Sequence, residues 1–386
     1  MSCFEDMTRL LISCGEASGD LYAGELLRHL KPLVPGLSVF GLGGDQVESQ
    51  GARLTAHTRD LAVVGLLEVV RHLPRLRGIF RRLLDEVDRE RPTAAVLIDY
   101  PDFNLRLARE LHRRGIPVIY YVSPQVWAWR RGRIRTIRET ARHMIVIFPF
   151  EEAIYREAGV PVTFVGHPLV ELVKPAADPD VLLRGLGLDP GRPLVAVLPG
   201  SRPQEVAHNL PSLVGAVRLL AERHAALQFV LAAAPYLDPA TVRADVGNAP
   251  LLVVPDATHA LVATARVALV ASGTATVETA LLGTPMVVVY RISTLSYVLG
   301  RPLVQVPHYA MVNLIAERRV VPELMQREFT PERVAAEAER LLDEGPPRQA
   351  MLDSLAEVRR RLGGPGASER AARLVAGLIE EGRGRI

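Results

Sequence analysis

Short, wholly apolar runs rich in β-branched residues recur along the 386-residue chain, and stretches with helical periodicity separate them. Buried strands joined by helices have one common solution, a parallel, doubly wound sheet. In the first half the predicted strands are Leu10–Ser13, Ser38–Leu42, Ala94–Asp99, Val118–Val122, Met144–Phe148 and Thr163–Val165. The intervening helices are read as Leu21–Leu30, Leu66–Arg89, Leu105–Arg113 and Gly132–Arg142. Lys174–Pro190 is rich in Pro, Asp and Gly, contains no strand pattern, and reads as a linker. Alternation then resumes. Strands are expected at Leu194–Leu198, Gln228–Leu231, Leu251–Val254, Val267–Val270 and Met286–Val289. Helices are expected at Gln204–Arg223, His259–Ala265 and Thr274–Leu282. From Pro331 onward the pattern is helical, broken at Gly345–Pro347 and Gly363–Gly366.

The expected fold class is therefore α/β, with two Rossmann-like doubly wound parallel-sheet domains and an inter-domain cleft. A length of 386 residues suits two domains at about 150 residues each. The boundaries are set at 1–173 and 174–364, with helices over about 365–386 free to pack back on the first domain.

Composition removes several classes of function. With 48% apolar and 23% charged residues, long disorder is not expected. No uncharged apolar stretch reaches about 18 residues, so no membrane-spanning helix is predicted. The first residues place acids ahead of a short apolar run, the wrong order for a secretory signal, and the expected location is the cytoplasm. A formal charge of +3 is nearly balanced and does not predict a nucleic-acid partner. Cys3 and Cys14 form no ligand or disulfide pattern, and the ten His residues show no HxxxH or HExxH spacing. Neither a metal nor an organic cofactor is expected.

Ligands of open α/β sheets bind at the carboxyl ends of the strands, so those ends carry the functional argument. After the first strand comes GEASGD, Gly15–Asp20. Its small residues permit a tight turn, Ser18 can cap the next helix, and the carboxylates of Glu16 and Asp20 suit sugar hydroxyls better than phosphate. It reads equally well as a plain strand-to-helix turn. The run AAVLI ends in Asp99. A carboxylate at the rim of an apolar wall is how a general base is made. Asp102 fits a helix N-cap better. The loop SPQVWAWRRGRIR carries both tryptophans, Trp127 and Trp129, beside Arg130, Arg131, Arg133 and Arg135. It can stack on a ring or bind phosphate, or simply pack and lead into a solvated basic helix. His167, in VGHP, is placed facing the linker.

In the second half, Pro199–Glu205 (PGSRPQE) offers backbone N–H groups and the Arg202 guanidinium to an anion. A second small-residue turn, Ala271–Glu278, presents Ser272, Thr274 and Thr276 at a helix start. Glu278 lies where it can accept ribose hydroxyls. Neither turn is a P-loop, and together they fit a diphosphate held without metal.

Over Leu66–Leu84 an apolar stripe that includes Leu76 and Phe80 faces away from Arg71, Arg75 and Arg82, with Arg77 and Arg81 nearby and Glu68 as its acid. Pro74 is expected to start a second helix. Such a basic hairpin reads as a membrane-surface element, or as a core-facing helix with a solvated Arg face.

With those residues in view, the chain resembles the lipid-A-disaccharide synthases, bacterial membrane-associated glycosyltransferases of GT-B architecture. The resemblance rests on GEASGD, DLAVVGLLEV, DYPDFN, YYVSPQVWAWR, FPFE, FVGHP, LPGSR with Glu205, SGTATVE, MVVVYR and NLIAERRVVPELMQ, in that order over nearly the whole chain. It implies an inverting, metal-independent transfer. UDP-2,3-diacylglucosamine would donate to the 6-hydroxyl of 2,3-diacylglucosamine 1-phosphate, giving a β-1,6-linked disaccharide 1-phosphate and UDP. It implies Asp99 as the catalytic residue. Donor contacts would come from Gly200, Ser201, Arg202, Ser272, Gly273, Thr274, Thr276, Glu278 and Asn313. Acceptor or sugar contacts would come from Glu16, Ser18, Asn104 and Trp127. Peripheral attachment to the inner face of the cell membrane follows from acylated substrates, with Leu76, Phe80, Arg75 and Arg82 at the surface. A homodimer is left open. Rival readings are another GT-B enzyme acting on UDP-N-acetylglucosamine, a two-domain binding protein, and a nucleic-acid binder using the Arg-rich Arg130–Arg142 helix.

Overall fold

The computed structural model describes residues 8–61, 66–124, 132–234, 237–292 and 308–383; for 66–73 and 383 the description is confined to the backbone. The chain divides into two compact units, one of Met1–Pro168 with Gly363–Ile386 and one of Leu169–Leu362.

The first unit holds β1 (Arg9–Cys14), β2 (Ser38–Gly43), β3 (Arg53–His57), β4 (Ala94–Ile98), β5 (Val118–Tyr121), β6 (Ala141–Val146) and β7 (Val162–Phe164). They form one parallel sheet in the order β3-β2-β1-β4-β5-β6-β7. The second unit holds β8 (Leu194–Leu198), β9 (Gln228–Ala233), β10 (Leu252–Pro255), β11 (Val267–Ala271), β12 (Met286–Tyr290) and β13 (Glu323–Met325). Its order is β10-β9-β8-β11-β12-β13, again parallel. Counted from its own first strand, each sheet opens with the doubly wound order 3-2-1-4-5-6. The order reverses between β1 and β4 in one unit and between β8 and β11 in the other. Chain crossing to opposite faces at those points leaves a crevice at the strand ends.

β4, β8 and β11 are buried at every position, which is why they read as unbroken apolar runs. β3 (RLTAH) and β13 (ELM) were not predicted. Both lie at sheet edges, and their polar residues interrupt the apolar signal.

Three further expectations change. Pro179–Gly185 within the supposed linker is a helix, capped by the Asp178 side chain accepting from Val181 N–H at 3.0 Å. Leu66–Glu90 is one helix with Pro74 inside it, not a hairpin. Pro74 is exposed, and its ring nitrogen gives the carbonyl four residues earlier no intrahelical donor. Within this helix Ile79, Leu83 and Val87 are core residues, and Leu76, Phe80 and Leu84 pack against the same core. Phe80 meets Phe103 edge to face at 5.2 Å.

The last helix, Ala367–Arg383, belongs to the first unit. Its fully buried Ala371, Ala372 and Val375 pack on the helix Ala17–Leu33, where Leu26, Leu27 and Leu30 are equally buried. Arg370 donates to the Val165 carbonyl at 2.9 Å.

Candidate active site

At the β1/β4 reversal two loops meet. Gly15 follows β1, and a Cβ placed there would lie 2.3 Å from Cγ of Tyr100, so only glycine lets the Tyr100 ring settle on this turn. Glu16 occupies the N-cap position of the helix Ala17–Leu33 with its side chain exposed. Ser18 lies inside the first helical turn, half-buried, and is not the cap. The third polar group of the motif, Asp20, is already committed. Its carboxylate accepts from the N–H groups of Gly44 (2.6 Å), Gln46 (3.0 Å) and Val47 (3.2 Å), fixing the start of the helix Asp45–Ser49.

Beyond β4, Asp99 and Tyr100 both take left-handed backbone, φ 43° and 48°. Neither is glycine, and each costs about 1–3 kcal/mol, strain that persists only where surroundings enforce it. Asn104 is the enforcer. Its amide nitrogen donates to the carbonyls of Asp99 (2.9 Å), Ser13 (3.1 Å) and Ile98 (3.2 Å), and its oxygen accepts from the Ser13 hydroxyl at 2.7 Å. The buried Tyr120 hydroxyl donates to the same Asp99 carbonyl at 2.7 Å. Asn104 is fully buried, ties the ends of β1 and β4 together and holds Asp99. Asp99 itself is half-buried at the strand end. Burial, with lesser help from Glu16 and Asp102, pushes the Tyr100 phenol up to about 12. Tyr100 therefore stays neutral beside the carboxylates. Asp102 sits in the first turn of the helix Pro101–Arg113 rather than at its cap and pairs with Arg133 at 2.5 Å.

Trp127 and Trp129, with Arg130 and Arg131, lie outside the described residues. His167 does not face a linker. It is buried between the rings of Tyr22 (5.9 Å) and Phe148 (5.2 Å), and burial pulls its pKa down to about 3. It is a neutral packing residue across the working pH range.

At the β8/β11 reversal the second unit has its own pair of turns. Gly200, at φ 132°, brings the chain against Glu205. Ser201 N–H donates to the Glu205 carboxylate at 3.2 Å, and Arg202 donates to its other oxygen at 3.2 Å. The predicted anion site thus already holds an anion, the chain's own carboxylate. Ser201 and Arg202 are exposed. In the other turn Gly273 and Thr274 are exposed, and the Ser272 hydroxyl donates to the Tyr309 carbonyl at 3.1 Å. Glu278 pairs with His259 at 3.5 Å.

Two residues of the donor-side reading are buried. Thr276 is fully buried and donates to the Gly273 carbonyl at 2.8 Å, which shapes the turn. Asn313 is also fully buried. It accepts from Val320 and Val321 N–H (2.7 and 2.9 Å) and donates to the Val321 carbonyl (3.0 Å) and Glu323 (2.6 Å). Both are scaffold. Sequence reasoning missed Asn209, which donates to the Pro199 carbonyl at 2.9 Å and accepts from Arg291 N–H at 3.0 Å, tying the ends of β8 and β12. A polar residue amid the apolar positions of the helix Pro203–Arg223 is the signal that could have found it.

Leu76 and Phe80, read as membrane contacts, pack against the core instead. Arg75, Arg77, Arg81 and Arg82 are exposed on the same helix, with Arg75 paired to Asp60. Among the described residues no helix is long and apolar enough to cross a membrane. One group of potential metal ligands occurs there, Asp45, Glu48 and His57, and Arg59 already pairs with both oxygens of Asp45 (2.6 and 2.8 Å).

Two doubly wound units, each with a small-residue turn at its reversal point, define the GT-B class of sugar-transferring and sugar-nucleotide enzymes. Solved structures agree at the level of fold. The UDP-GlcNAc 2-epimerase of Methanocaldococcus jannaschii, solved with UDP-GlcNAc and UDP, superposes with a TM-score of 0.64 at 11% identity, over 95% of this chain and 99% of that one. The calicheamicin glycosyltransferase gives 0.59 at 16% identity, over 98% and 99%. Residues 10–375 match the family described as lipid-A-disaccharide synthetase. The lipid-A-disaccharide synthase of Solibacter usitatus is 47% identical over 375 residues, 97% of this chain and 98% of that protein. That of Koribacter versatilis is 48% identical over 383 residues, 97% and 99%. The chain belongs to the lipid-A-disaccharide synthetase family.

Proposed function

We propose that this glycosyltransferase, which forms the lipid A disaccharide, joins UDP-2,3-diacylglucosamine to the 6-hydroxyl of 2,3-diacylglucosamine 1-phosphate, with Asp99 as general base. The observation that carries the reading is Asp99 itself, a half-buried carboxylate at the β4 end, on left-handed backbone that Asn104 and Tyr120 enforce. Asp99 takes the proton of the attacking hydroxyl. The oxygen bonds to the anomeric carbon of the donor, and the bond to the diphosphate breaks with inversion. Charge on the departing UDP falls to Arg202, to the Ser201 N–H and to the N-terminus of the helix Pro203–Arg223. In this reading the first unit takes the acceptor and the second the donor. The uridine nucleotides named for the epimerase neighbour support a uridine donor here. Incubating the protein with both acylated substrates and weighing the product tests the reaction. Absence of a tetra-acylated disaccharide phosphate overturns it.

The donor site gives a prediction with two signs. Arg202→Ala weakens UDP binding by about 1.5–3 kcal/mol, the worth of a charge-assisted hydrogen bond. Glu205→Gln keeps an acceptor for Ser201 N–H but removes the competing charge, and tightens UDP by up to about 1 kcal/mol. Calorimetry reads both. Weakening by both variants would mean that Glu205 serves the ligand rather than competes with it.

Acylated substrates reside in a bilayer, so the enzyme works at its inner surface. The exposed arginines of the helix Leu66–Glu90 supply attraction of about 1 kcal/mol each near anionic lipid. Arg77→Glu with Arg81→Glu is expected to reduce sedimentation with phosphatidylglycerol vesicles and leave UDP binding intact. Undiminished sedimentation removes this helix from the membrane contact.

A further inference from the structure

A cavity of about 400 Å³ opens between the helices Pro101–Arg113 and Gly132–Thr140. Asp102, Leu105, Arg106, Arg109, Arg133 and Thr136 line it. Its charges do not cancel. Arg133 is neutralised by Asp102 at 2.5 Å. Arg109 donates to a neutral partner, the Thr136 hydroxyl, at 2.7 Å. Arg106 is exposed and has no hydrogen-bond or ion-pair partner among the described residues. The nearby acids are engaged elsewhere: Glu110 with Arg113 and Arg114, and Glu139 with Arg135 at 2.8 Å. Two guanidinium charges are left over a floor formed by Leu105, which is 7% exposed.

Two positive charges beside an apolar floor match a phosphate monoester, which carries about −1.5 to −2 at neutral pH. Arginine forks bind such a group through paired N–H donors. The cavity also sits close to the reacting carboxylate. Asp102 follows Asp99 by three residues, so their Cα atoms are at most about 11 Å apart.

We propose that Arg106 and Arg109 bind the phosphate monoester of the acylated sugar acceptor. The proposal rests on the reading that the first unit takes that acceptor. The same chemistry is offered by the phosphate of a membrane lipid, and the experiment separates the two sources.

The test is the double variant Arg106→Gln, Arg109→Gln, assayed in detergent with the acceptor carrying its 1-phosphate and with the same acceptor dephosphorylated. Both arginines are exposed, so folding is retained and a thermal melt verifies it. The expected result is a KM for the phosphorylated acceptor raised roughly 10- to 100-fold. KM for the dephosphorylated acceptor, KM for the donor and kcat stay near wild type. The preference for phosphate thus collapses in the variant. Retained preference overturns the proposal. Sedimentation with phosphatidic acid vesicles forms the second arm. If it falls while the preference in detergent survives, the groove reads the membrane and the acceptor assignment is wrong. If the wild-type protein makes no disaccharide from either acceptor, it is the reaction that fails and not the groove. Binding of glucosamine 1-phosphate, lost in the variant, then still decides the groove.

Discussion

Asp99→Asn is expected to cut turnover by roughly 10²–10⁴-fold, the usual worth of a positioned general base. Its fold should be untouched for a specific reason. Main-chain bonds that the substitution leaves in place help to hold residue 99: the carbonyl receives Asn104 and Tyr120, and its N–H reaches the Tyr121 carbonyl at 3.2 Å. Asparagine also tolerates left-handed backbone better than almost any residue but glycine. The variant therefore keeps the loop and loses the proton acceptor. Steady-state turnover beside a thermal melt checks it. Near-normal turnover would take Asp99 out of the chemistry.

Gly15→Ala is expected to cost about 10²-fold in turnover, although Gly15 bears no functional group. The new methyl would lie 2.3, 2.4 and 2.5 Å from three ring atoms of Tyr100. That ring cannot remain, and Tyr100 is bonded directly to Asp99. A displacement near 1 Å at a reacting group costs on that scale. The cause can be isolated with a double-mutant cycle. On a Tyr100→Ala background the ring is gone, and adding Gly15→Ala should cost almost nothing more. UDP affinity, which the proposed function assigns to the other unit, should hold throughout. Additive losses in the cycle would mean that Gly15 matters for something other than room for Tyr100.

Much of this frame was legible because buried parallel strands are apolar at every position. β4, β8 and β11 appear in the sequence almost at their true limits, and the functional turns follow from where they stop. Two of the edge strands were not legible, since Arg53–His57 and Glu323–Met325 carry polar residues that any loop might carry as well. The sites divide along another line. Exposed groups such as Glu16, Arg202 and Thr274 stand where the turns predicted them. Asn104, Thr276 and Asn313 also come from the motifs and yet spend their polar atoms on neighbouring backbone and side chains. A motif marks a loop of demanding geometry. It does not distinguish the side chain that meets a ligand from the one that braces the loop, because both must be polar and of fixed length. The contact of Glu205 went unread for a similar reason: that its carboxylate reaches back to Ser201 N–H depends on the φ of Gly200.

The return of the helix Ala367–Arg383 to the first unit has a consequence for synthesis. The groove on Ala17–Leu33 that this helix covers is made early, but its cover is translated only after all of residues 169–362. At ordinary elongation rates that is a delay of about 10–40 s. During it the face of Ala17–Leu33 that packs on the C-terminal helix is uncovered, and the nascent first unit presents that face to the ribosome's surroundings. A transcript cut short near codon 365 would leave that face bare for good, on a polypeptide that still contains every strand of both sheets.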